Sequence, residues 1–190
     1  MWLALVTLVL GLVVSIVNAA SVEECTSLYE AYEAFNGQDW VQSDGWSSAE
    51  FDGQGRVSDN CCSWFGVFCV FANSGSITGV SLHSNNLSGP IPKSLFQGLT
   101  SLEWVNLDRN KLSDHIPKGL FQGLTELFNV YLWNNQLSGP IPKGLFQDLT
   151  SLDDVSLSGN LLRGDIPEDL LRGSNSLRRV SLDYNQLSGP

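Results

Sequence analysis

The chain has 190 residues, 43% of them hydrophobic and 16% charged, a composition that excludes a wholly disordered protein and suits one domain with a hydrophobic core. Its net charge of −10 argues against binding nucleic acid through the phosphates, which would need a basic surface. The charge is uneven, because residues 21–76 hold nine acidic residues and one basic residue, Arg56, whereas residues 77–190 hold eleven and nine. An acidic surface that aids solubility explains this difference most simply.

The first segment of the chain is apolar. Residues 2–17 contain no charged side chain and run into Val17-Asn18-Ala19-Ala20. The small side chains of Val17 and Ala19 suit signal peptidase, which would cut after Ala19. We therefore expect residues 1–19 to be a signal peptide and the mature protein to be secreted or a cell-surface ectodomain. No Lys or Arg precedes the apolar run, so an uncleaved membrane anchor is the alternative.

The next elements are predicted from a helical pattern. Ser21 and Glu24 have the spacing of a capping box, and apolar residues then recur every three or four positions. This pattern predicts an amphipathic helix over 22–35. The segment that follows is rich in Gly, Ser and Asp, which predicts an irregular loop anchored by buried Trp40 and Trp46.

All the cysteines lie in the first 70 residues: Cys25, Cys61, Cys62 and Cys69. An even number behind a signal peptide indicates two disulfides formed in an oxidising compartment. Four cysteines allow three pairings, and their spacing does not choose among them. A metal site is disfavoured, because the chain has only two histidines and no C-x-x-C spacing, and we expect no metal and no cofactor.

From residue 77 onward the sequence repeats with a period of 25 residues. Valine and leucine columns two residues apart, such as Val105 and Leu107, predict the buried face of a short strand in each repeat. Such strict self-similarity indicates a solenoid. The same period relates five asparagines, expected to form a buried ladder that pairs with backbone groups: Asn85, Asn110, Asn135, Asn160 and Asn185.

The rest of each repeat predicts its outer side. Residues 87–92, Leu-Ser-Gly-Pro-Ile-Pro, suggest an extended path in which prolines remove hydrogen-bond donors. A column of phenylalanines is expected to fill the convex side in the first three repeats: Phe96, Phe121 and Phe146. In the fourth repeat Leu171 replaces the phenylalanine.

Residues 127–142 read Leu-Phe-Asn-Val-Tyr-Leu-Trp-Asn-Asn-Gln-Leu-Ser-Gly-Pro-Ile-Pro and resemble the plant-type leucine-rich repeat L-x-x-L-x-L-x-x-N-x-L-S-G-x-I-P. The resemblance covers 77–190, about five repeats. It implies an α/β solenoid, a right-handed superhelix with a short-stranded parallel sheet on the concave face and an irregular or 3-10 convex side. The chain stops in the middle of its last repeat, so we expect it to be part of a longer product.

Residues 61–69, Cys-Cys-Ser-Trp-Phe-Gly-Val-Phe-Cys, resemble the cap that precedes such repeats in receptor-like protein ectodomains and polygalacturonase-inhibiting proteins. This resemblance implies a helical disulfide cap over 20–76. It also implies that Cys25 pairs with Cys61 and Cys62 with Cys69.

The outward positions of the concave strands are the expected binding surface. Trp104, Tyr131 and Trp133 fall on adjacent strands within about 10 Å of one another, beside charged and amide side chains. The alternative is that the tryptophans lie against neighbours and only stiffen the sheet. The candidate ligand-binding residues are Trp104, Asn106, Asp108, Arg109, Asn129, Tyr131, Trp133 and Asn134.

We expect the partner to be an extracellular protein or peptide, or a glycan, recognised by a receptor-like protein in signalling or defence. The alternative is a secreted inhibitor of a foreign enzyme. An ice-binding or structural surface is less favoured, because the concave columns mix Trp, Asp, Arg and Gly. Membrane association is expected only if a full-length product carries a C-terminal transmembrane segment.

The two histidines of the chain are not arranged as catalytic residues. His83 and His115 lie in different parts of their repeats, and neither has a nucleophile and orienting group at a recognisable spacing. We therefore expect no catalytic residues and no enzyme activity.

Asn86-Leu87-Ser88 is an N-glycosylation sequon, and the alternative is a repeat consensus that matches by coincidence.

Overall fold

The computed structural model describes residues 20–71 and 74–189, so the expected signal peptide lies outside the described residues. Helix α1 spans Val22–Ala34. Three short 3-10 helices follow it, at Gly37–Asp39, Trp46–Ser48 and Cys61–Ser63. The strands are β1 Val67–Phe71, β2 Ser74–Ser81, β3 Ser88–Pro90, β4 Trp104–Asn106, β5 Lys111–His115, β6 Asn129–Tyr131, β7 Gln136–Gly139, β8 Asp154–Ser156, β9 Leu161–Asp165, β10 Arg179–Ser181 and β11 Gln186–Ser188. Within the described ranges no helix is long and apolar enough to cross a bilayer.

Helix α1 begins with the predicted capping box. The Glu24 N–H donates to Ser21 Oγ at 3.1 Å, and the Ser21 N–H donates to Glu24 Oε2 at 2.7 Å. The helix ends where Asn36 takes a left-handed conformation. Gly37 is required just after it, because a Cβ there would lie 2.1 Å from the ring of Tyr32. The predicted helix is therefore confirmed, with Phe35 as its C-cap.

The cap is closed by two disulfides, in the pairing that the resemblance implies: Cys25–Cys61 and Cys62–Cys69. Their sequence separations are 36 and 7 residues. Loop-closure entropy then assigns about 4 and 2.5 kcal/mol of stabilisation to them. The predicted anchors are buried, and Trp46 donates its indole N–H to the Phe65 carbonyl at 2.8 Å. The cap and the repeats share one continuous hydrophobic cluster, so the cap covers the first repeat.

Six strands form the concave sheet in the order β1-β2-β4-β6-β8-β10. The last five strands are parallel and paired without a shift, so Val80, Val105, Val130 and Val155 stand in one buried row. Strand β1 is antiparallel to β2 and extends this sheet from the cap. The predicted solenoid and its parallel sheet are confirmed.

A second parallel sheet was not predicted. It has the order β11-β9-β7-β5-β3 and is built from the Leu-Ser-Gly segments and their equivalents. The prolines do not prevent it, because Pro90 ends β3 and Pro140 follows β7, so earlier residues keep their donors. For example, the Lys111 N–H donates to the Leu87 carbonyl at 2.7 Å.

The convex side consists of tight turns. Each turn is closed by a backbone hydrogen bond, in which a leucine N–H donates to the carbonyl of the proline three residues before it. The Leu95 N–H, for instance, donates to the Pro92 carbonyl at 3.1 Å. Under these turns the predicted phenylalanine column is stacked, with ring centroids of Phe96 and Phe121 5.8 Å apart and those of Phe121 and Phe146 5.7 Å apart. Leu171, which replaces the ring in the fourth repeat, is exposed. The convex column therefore stops after three repeats.

The asparagine side chains connect successive turns. Asn110 Nδ2 donates to the carbonyls of Leu82 at 2.8 Å and Leu107 at 3.0 Å. Its Oδ1 accepts from the N–H groups of Asn85 and Leu87, both at 3.0 Å. Equivalent donor and acceptor bonds to neighbouring turns are made by Asn135, Asn160 and Asn185.

We predict that Asn110→Ala lowers the free energy of unfolding by about 3 kcal/mol, because several buried backbone groups would lose their partner. Asn185→Ala is the comparison variant, since Asn185 is half-buried and makes the equivalent donor bonds, but its Oδ1 accepts from one backbone N–H where that of Asn110 accepts from two. Its loss should be less than half as large. Urea unfolding followed by circular dichroism measures both, and equal losses would contradict a cost that depends on burial.

Candidate ligand-binding surface

The outward side chains of the concave sheet form columns because the strands are paired in register. The first two columns lie on the strands themselves: Gly79, Trp104, Asn129, Asp154 and Arg179, then Ser81, Asn106, Tyr131, Ser156 and Ser181. Two further columns follow the strands: His83, Asp108, Trp133, Ser158 and Asp183, then Ser84, Arg109, Asn134, Gly159 and Tyr184. All eight candidate binding residues belong to these columns.

Trp104 is directed toward the cap. Its ring lies against Gly79, where a Cβ would be only 2.3 Å from a ring atom, and its centroid is 4.9 Å from that of Phe68. Trp104 is consequently half-buried. Among the described residues no ring contact joins it to Tyr131 or Trp133. The three candidate aromatics therefore do not form one cluster.

Four candidate residues do meet, and we call Asn106, Asp108, Arg109 and Trp133 the Asp108 cluster. The guanidinium of Arg109 lies 4.6 Å from the centroid of the Trp133 ring, a cation–π contact. Asp108 is only 6% exposed, its N–H donates to Asn106 Oδ1 at 3.1 Å, and the nearby polar side chains of Asn106 and Trp133 favour the ionised form of its carboxyl. The cluster presents a fixed carboxylate beside an aromatic ring and a cation.

The ionisation of Asp108 reflects this burial. Burial raises the pKa of the Asp108 carboxyl, and the hydrogen bond from Asn106 and the charges of His83 and Arg109 oppose the rise. A carboxyl whose pKa is shifted by burial on an otherwise open surface is typical of functional sites.

A second polar group lies on the neighbouring strands. Asp154 Oδ2 accepts from the Tyr131 hydroxyl at 3.2 Å and from Arg179 Nη1 at 3.1 Å. Burial raises the pKa of the Tyr131 hydroxyl, and the charge of Asp154 raises it further. Asn129 stands in register with Asp154, and within the described chain the Oδ1 atoms of both residues are buried without a hydrogen-bond partner. This part of the surface therefore has incompletely satisfied acceptors.

The fourth column has an unusual backbone. The residues directly before the ladder asparagines all have a positive φ between 51° and 64°: Ser84, Arg109, Asn134, Gly159 and Tyr184. Only one of the five is a glycine, so the sequence carries no clear signal for this conformation. A Cβ at Gly159 would meet the end of the exposed Asn134 side chain, which would have to move to make room for it. The left-handed backbone of this turn thus sets the direction in which the side chains of Arg109 and Asn134 project.

Three residues of this surface were not among the predicted binding residues: Phe68, Asp154 and Arg179. Phe68 lies on β1, which was placed in the cap and not in the sheet. The available sequence signal for a strand was the continuous run of β-branched, aromatic and other apolar residues at 67–71, Val-Phe-Cys-Val-Phe. Asp154 and Arg179 lie at outward positions of the predicted strands, but only the structure shows their contact.

Asn86 of the sequon links the first repeat to the cap. Its Nδ2 donates to the Asp39 carbonyl at 2.9 Å, and the Ser88 hydroxyl accepts from Asn36 Nδ2 at 2.9 Å. An amide nitrogen carries two protons, so a glycan could replace one while the other keeps the bond to Asp39. Glycosylation of Asn86 stays a prediction.

Over the described ranges, no group of three His, Cys, Asp or Glu side chains is arranged to hold a metal ion. The two histidines lie in separate environments. His115 contacts Asp114 on the second sheet, whereas His83 lies near Asp108 and its charge opposes the rise in the pKa of the Asp108 carboxyl. The chemistry available on the concave sheet is therefore that of charge, hydrogen bonding and aromatic contact.

The chain is similar to known leucine-rich-repeat proteins. A family profile described as leucine rich repeat matches residues 76–137 and 129–187, together more than half of the chain. No curated protein matches the sequence. Among solved structures, a chain of the BIR3–SERK2 complex from Arabidopsis thaliana is 32% identical with a TM-score of 0.68, over 84% of this chain and 82% of that one.

Two other solved structures are similar. The BIR2 ectodomain from Arabidopsis thaliana is 28% identical with a TM-score of 0.69, over 90% of this chain and 83% of its own. A plant ice-binding protein is 27% identical with a TM-score of 0.71, over 88% of this chain and 50% of its own.

We predict that Gly79→Ala displaces the Trp104 ring, because the added Cβ would occupy its position. The free energy of unfolding should fall by about 1–3 kcal/mol, the usual cost of overpacking. The indole N–H resonance of Trp104, assigned with Trp104→Phe, should shift. Gly53→Ala is the matched control, since a Cβ there meets nothing within 4 Å. An unchanged Trp104 resonance in Gly79→Ala would contradict the packing described.

We also predict that Asp108→Asn gains stability relative to the wild type as pH rises. Between the pKa of an unfolded aspartate, about 3.9, and the raised pKa of folded Asp108, the folded state holds more protons, so wild-type stability falls with rising pH. Urea unfolding below about pH 4 and near pH 7 measures the difference. A difference between the two proteins that is independent of pH would contradict the raised pKa.

Proposed function

Because the chain belongs to the leucine-rich-repeat family, we propose that it is an extracellular binding module that recognises a protein or peptide on its concave sheet. The observation that carries this proposal is the Asp108 cluster. Arginine and tryptophan are the residue types that dominate binding hot spots, and here they are held in contact beside a buried carboxylate. Side chains fixed in this way lose little conformational entropy on binding.

The disulfide-closed cap supports an extracellular location for the protein. Disulfides persist in oxidising compartments, and both disulfides of this chain close the cap that covers the first repeat. A signal peptide at residues 1–19 would deliver the chain to such a compartment. The similar Arabidopsis structures are an ectodomain and a complex that includes BIR3 and SERK2, which supports a cell-surface role for this chain.

A leucine-rich-repeat solenoid is typical of proteins that bind without catalysis, and the Asp108 cluster fits that use. Its carboxyl is buried beside the side chains of Asn106 and Trp133, and the guanidinium of Arg109 lies over the Trp133 ring. We propose a receptor-like protein of signalling or defence as the specific form of this module. Inhibition of a foreign enzyme is the alternative that the same surface could serve.

The similarity to a plant ice-binding protein bears on the third possibility raised by the sequence. Ice binding favours flat ranks of small residues such as Thr. On this sheet the first column contains Trp104, Asp154 and Arg179, with two of them joined by a 3.1 Å ion pair. Such a surface is irregular in size and charge, which favours recognition of a protein or peptide.

We predict that Trp133→Ala weakens binding of the natural partner at least tenfold, or about 1.4 kcal/mol. The purified protein is screened against a panel of secreted proteins, receptor ectodomains and peptides from its source, and each specific binder is tested again with the variant. Lys118→Ala, on the convex side, is the control and should bind like the wild type.

The identity of the binder separates the two forms of the proposal. A receptor ectodomain or a peptide signal supports the receptor-like role, whereas a foreign enzyme that loses activity supports the inhibitor. Partners that bind Trp133→Ala as tightly as the wild type would overturn the assignment of the concave surface.

A further inference from the structure

An apolar patch lies where the cap meets the concave sheet. Phe68 and Val70 alternate with buried or half-buried neighbours on β1, and they are 47% and 54% exposed. The Trp104 ring packs against Phe68 from the adjoining repeat. We call Phe68, Val70 and Trp104 the apolar shelf. Phe68 joins it to the concave sheet, because Phe68 pairs with Gly79 of β2, and the pairing is irregular on either side of Cys69.

The shelf is held rigidly from beneath. Cys69, between its two β1 residues, is joined to Cys62 by a disulfide. Gly79 leaves room for the Trp104 ring, and the Thr78 hydroxyl donates to the Phe68 carbonyl at 3.4 Å. A preformed apolar surface binds with a smaller ordering cost than a mobile one. Exposed apolar residues that adjoin one another in this way mark interaction sites more often than isolated ones do.

The charge around the shelf selects the kind of partner. Residues 21–76 carry nine carboxylates against one basic side chain, and that residue, Arg56, is paired with Asp52 at 2.8 Å. Glu103, next to Trp104, is exposed and its N–H donates to the Thr78 carbonyl beside the shelf. The cap that carries Phe68 and Val70 is therefore strongly negative as a whole, and Glu103 adds a carboxylate in the adjoining repeat. A second copy of the chain would bring two acidic caps together, which like-charge repulsion disfavours.

We propose that the apolar shelf receives an aliphatic or aromatic side chain from a basic, extended segment of the peptide or protein partner. This inference rests on the proposed function and deepens it by naming the chemistry of the ligand. Apolar contact on the shelf supplies affinity, and the acidic cap attracts the flanking lysines or arginines and speeds the encounter. The ligand then spans from the Asp108 cluster to the cap.

The test uses matched peptides as probes. One peptide has a central leucine flanked by alternating lysine and serine, a second replaces each lysine with glutamate, and a third replaces the leucine with serine. Binding to the disulfide-bonded protein is measured by fluorescence anisotropy. The lysine peptide should bind with a Kd below about 1 mM, and both altered peptides should bind at least about tenfold more weakly. Added salt should weaken the binding of the lysine peptide.

Variants of the protein locate the contact. Phe68→Ser with Val70→Thr should weaken binding of the lysine peptide about tenfold, whereas Val41→Thr, at an exposed valine elsewhere in the cap, should leave it unchanged. Gly79→Ala, which displaces the Trp104 ring without removing an apolar side chain from the shelf, should also weaken it. Circular dichroism verifies that each variant is folded.

The outcomes distinguish the shelf from the proposed function. Loss of binding in Trp133→Ala but not in the shelf variants would overturn the shelf and leave the proposed function standing. Unchanged binding of the lysine peptide in all variants would overturn the shelf, whereas the proposed function would be overturned only if the natural partner also bound Trp133→Ala as tightly as the wild type. Equal binding of the lysine and glutamate peptides would overturn the basic partner, and so would dimerisation of the protein that Phe68→Ser abolishes. Binding of a neutral oligosaccharide in place of the lysine peptide would overturn it as well.

Discussion

Successive turns of this solenoid are joined through asparagine side chains, which are buried at Asn110, Asn135 and Asn160 and half-buried at Asn185. Asn135 shows the arrangement, with Nδ2 donating to the Leu107 carbonyl at 3.0 Å and Oδ1 accepting from the Leu112 N–H at 2.9 Å. The carboxamide can do this because it is both donor and acceptor, and no apolar side chain of similar size could satisfy these buried groups. The spacing of the turns, and therefore the register of both sheets, depends on this ladder.

The binding surface takes its geometry from the same ladder. The residue before each ladder asparagine takes a left-handed conformation, which holds Arg109 where its guanidinium meets the Trp133 ring at 4.6 Å. Asp108, one position earlier, is then directed into a buried position. A cost of about 1 kcal/mol for such a backbone is tolerated because the surrounding bonds fix it. Stability in the core and geometry on the surface are thus linked through adjacent residues.

The cap contributes to this surface as well as covering the first repeat. Its strand β1 adds an antiparallel edge to the concave sheet, and Phe68 on that strand packs with Trp104 from the repeats. The cap also carries most of the net negative charge of the chain, because its nine acidic residues face one basic residue whereas the repeats have eleven and nine. An acidic, disulfide-closed cap and a nearly balanced repeat region therefore share one continuous face, in which apolar contact and charge are placed side by side.

The sequence alone determined the period of 25 residues, the buried strands, the capped helix and the family, because these follow from residue types at fixed local spacings. The tertiary structure decided which outward residues meet. Trp104 lies on Gly79 and Phe68 and away from the other aromatics, and the Leu-Ser-Gly segments pair into a second sheet. Periodicity reports the face to which a side chain belongs. Periodicity does not report the rotamer of a side chain or its neighbour in the next turn, because both depend on how successive turns pack against one another.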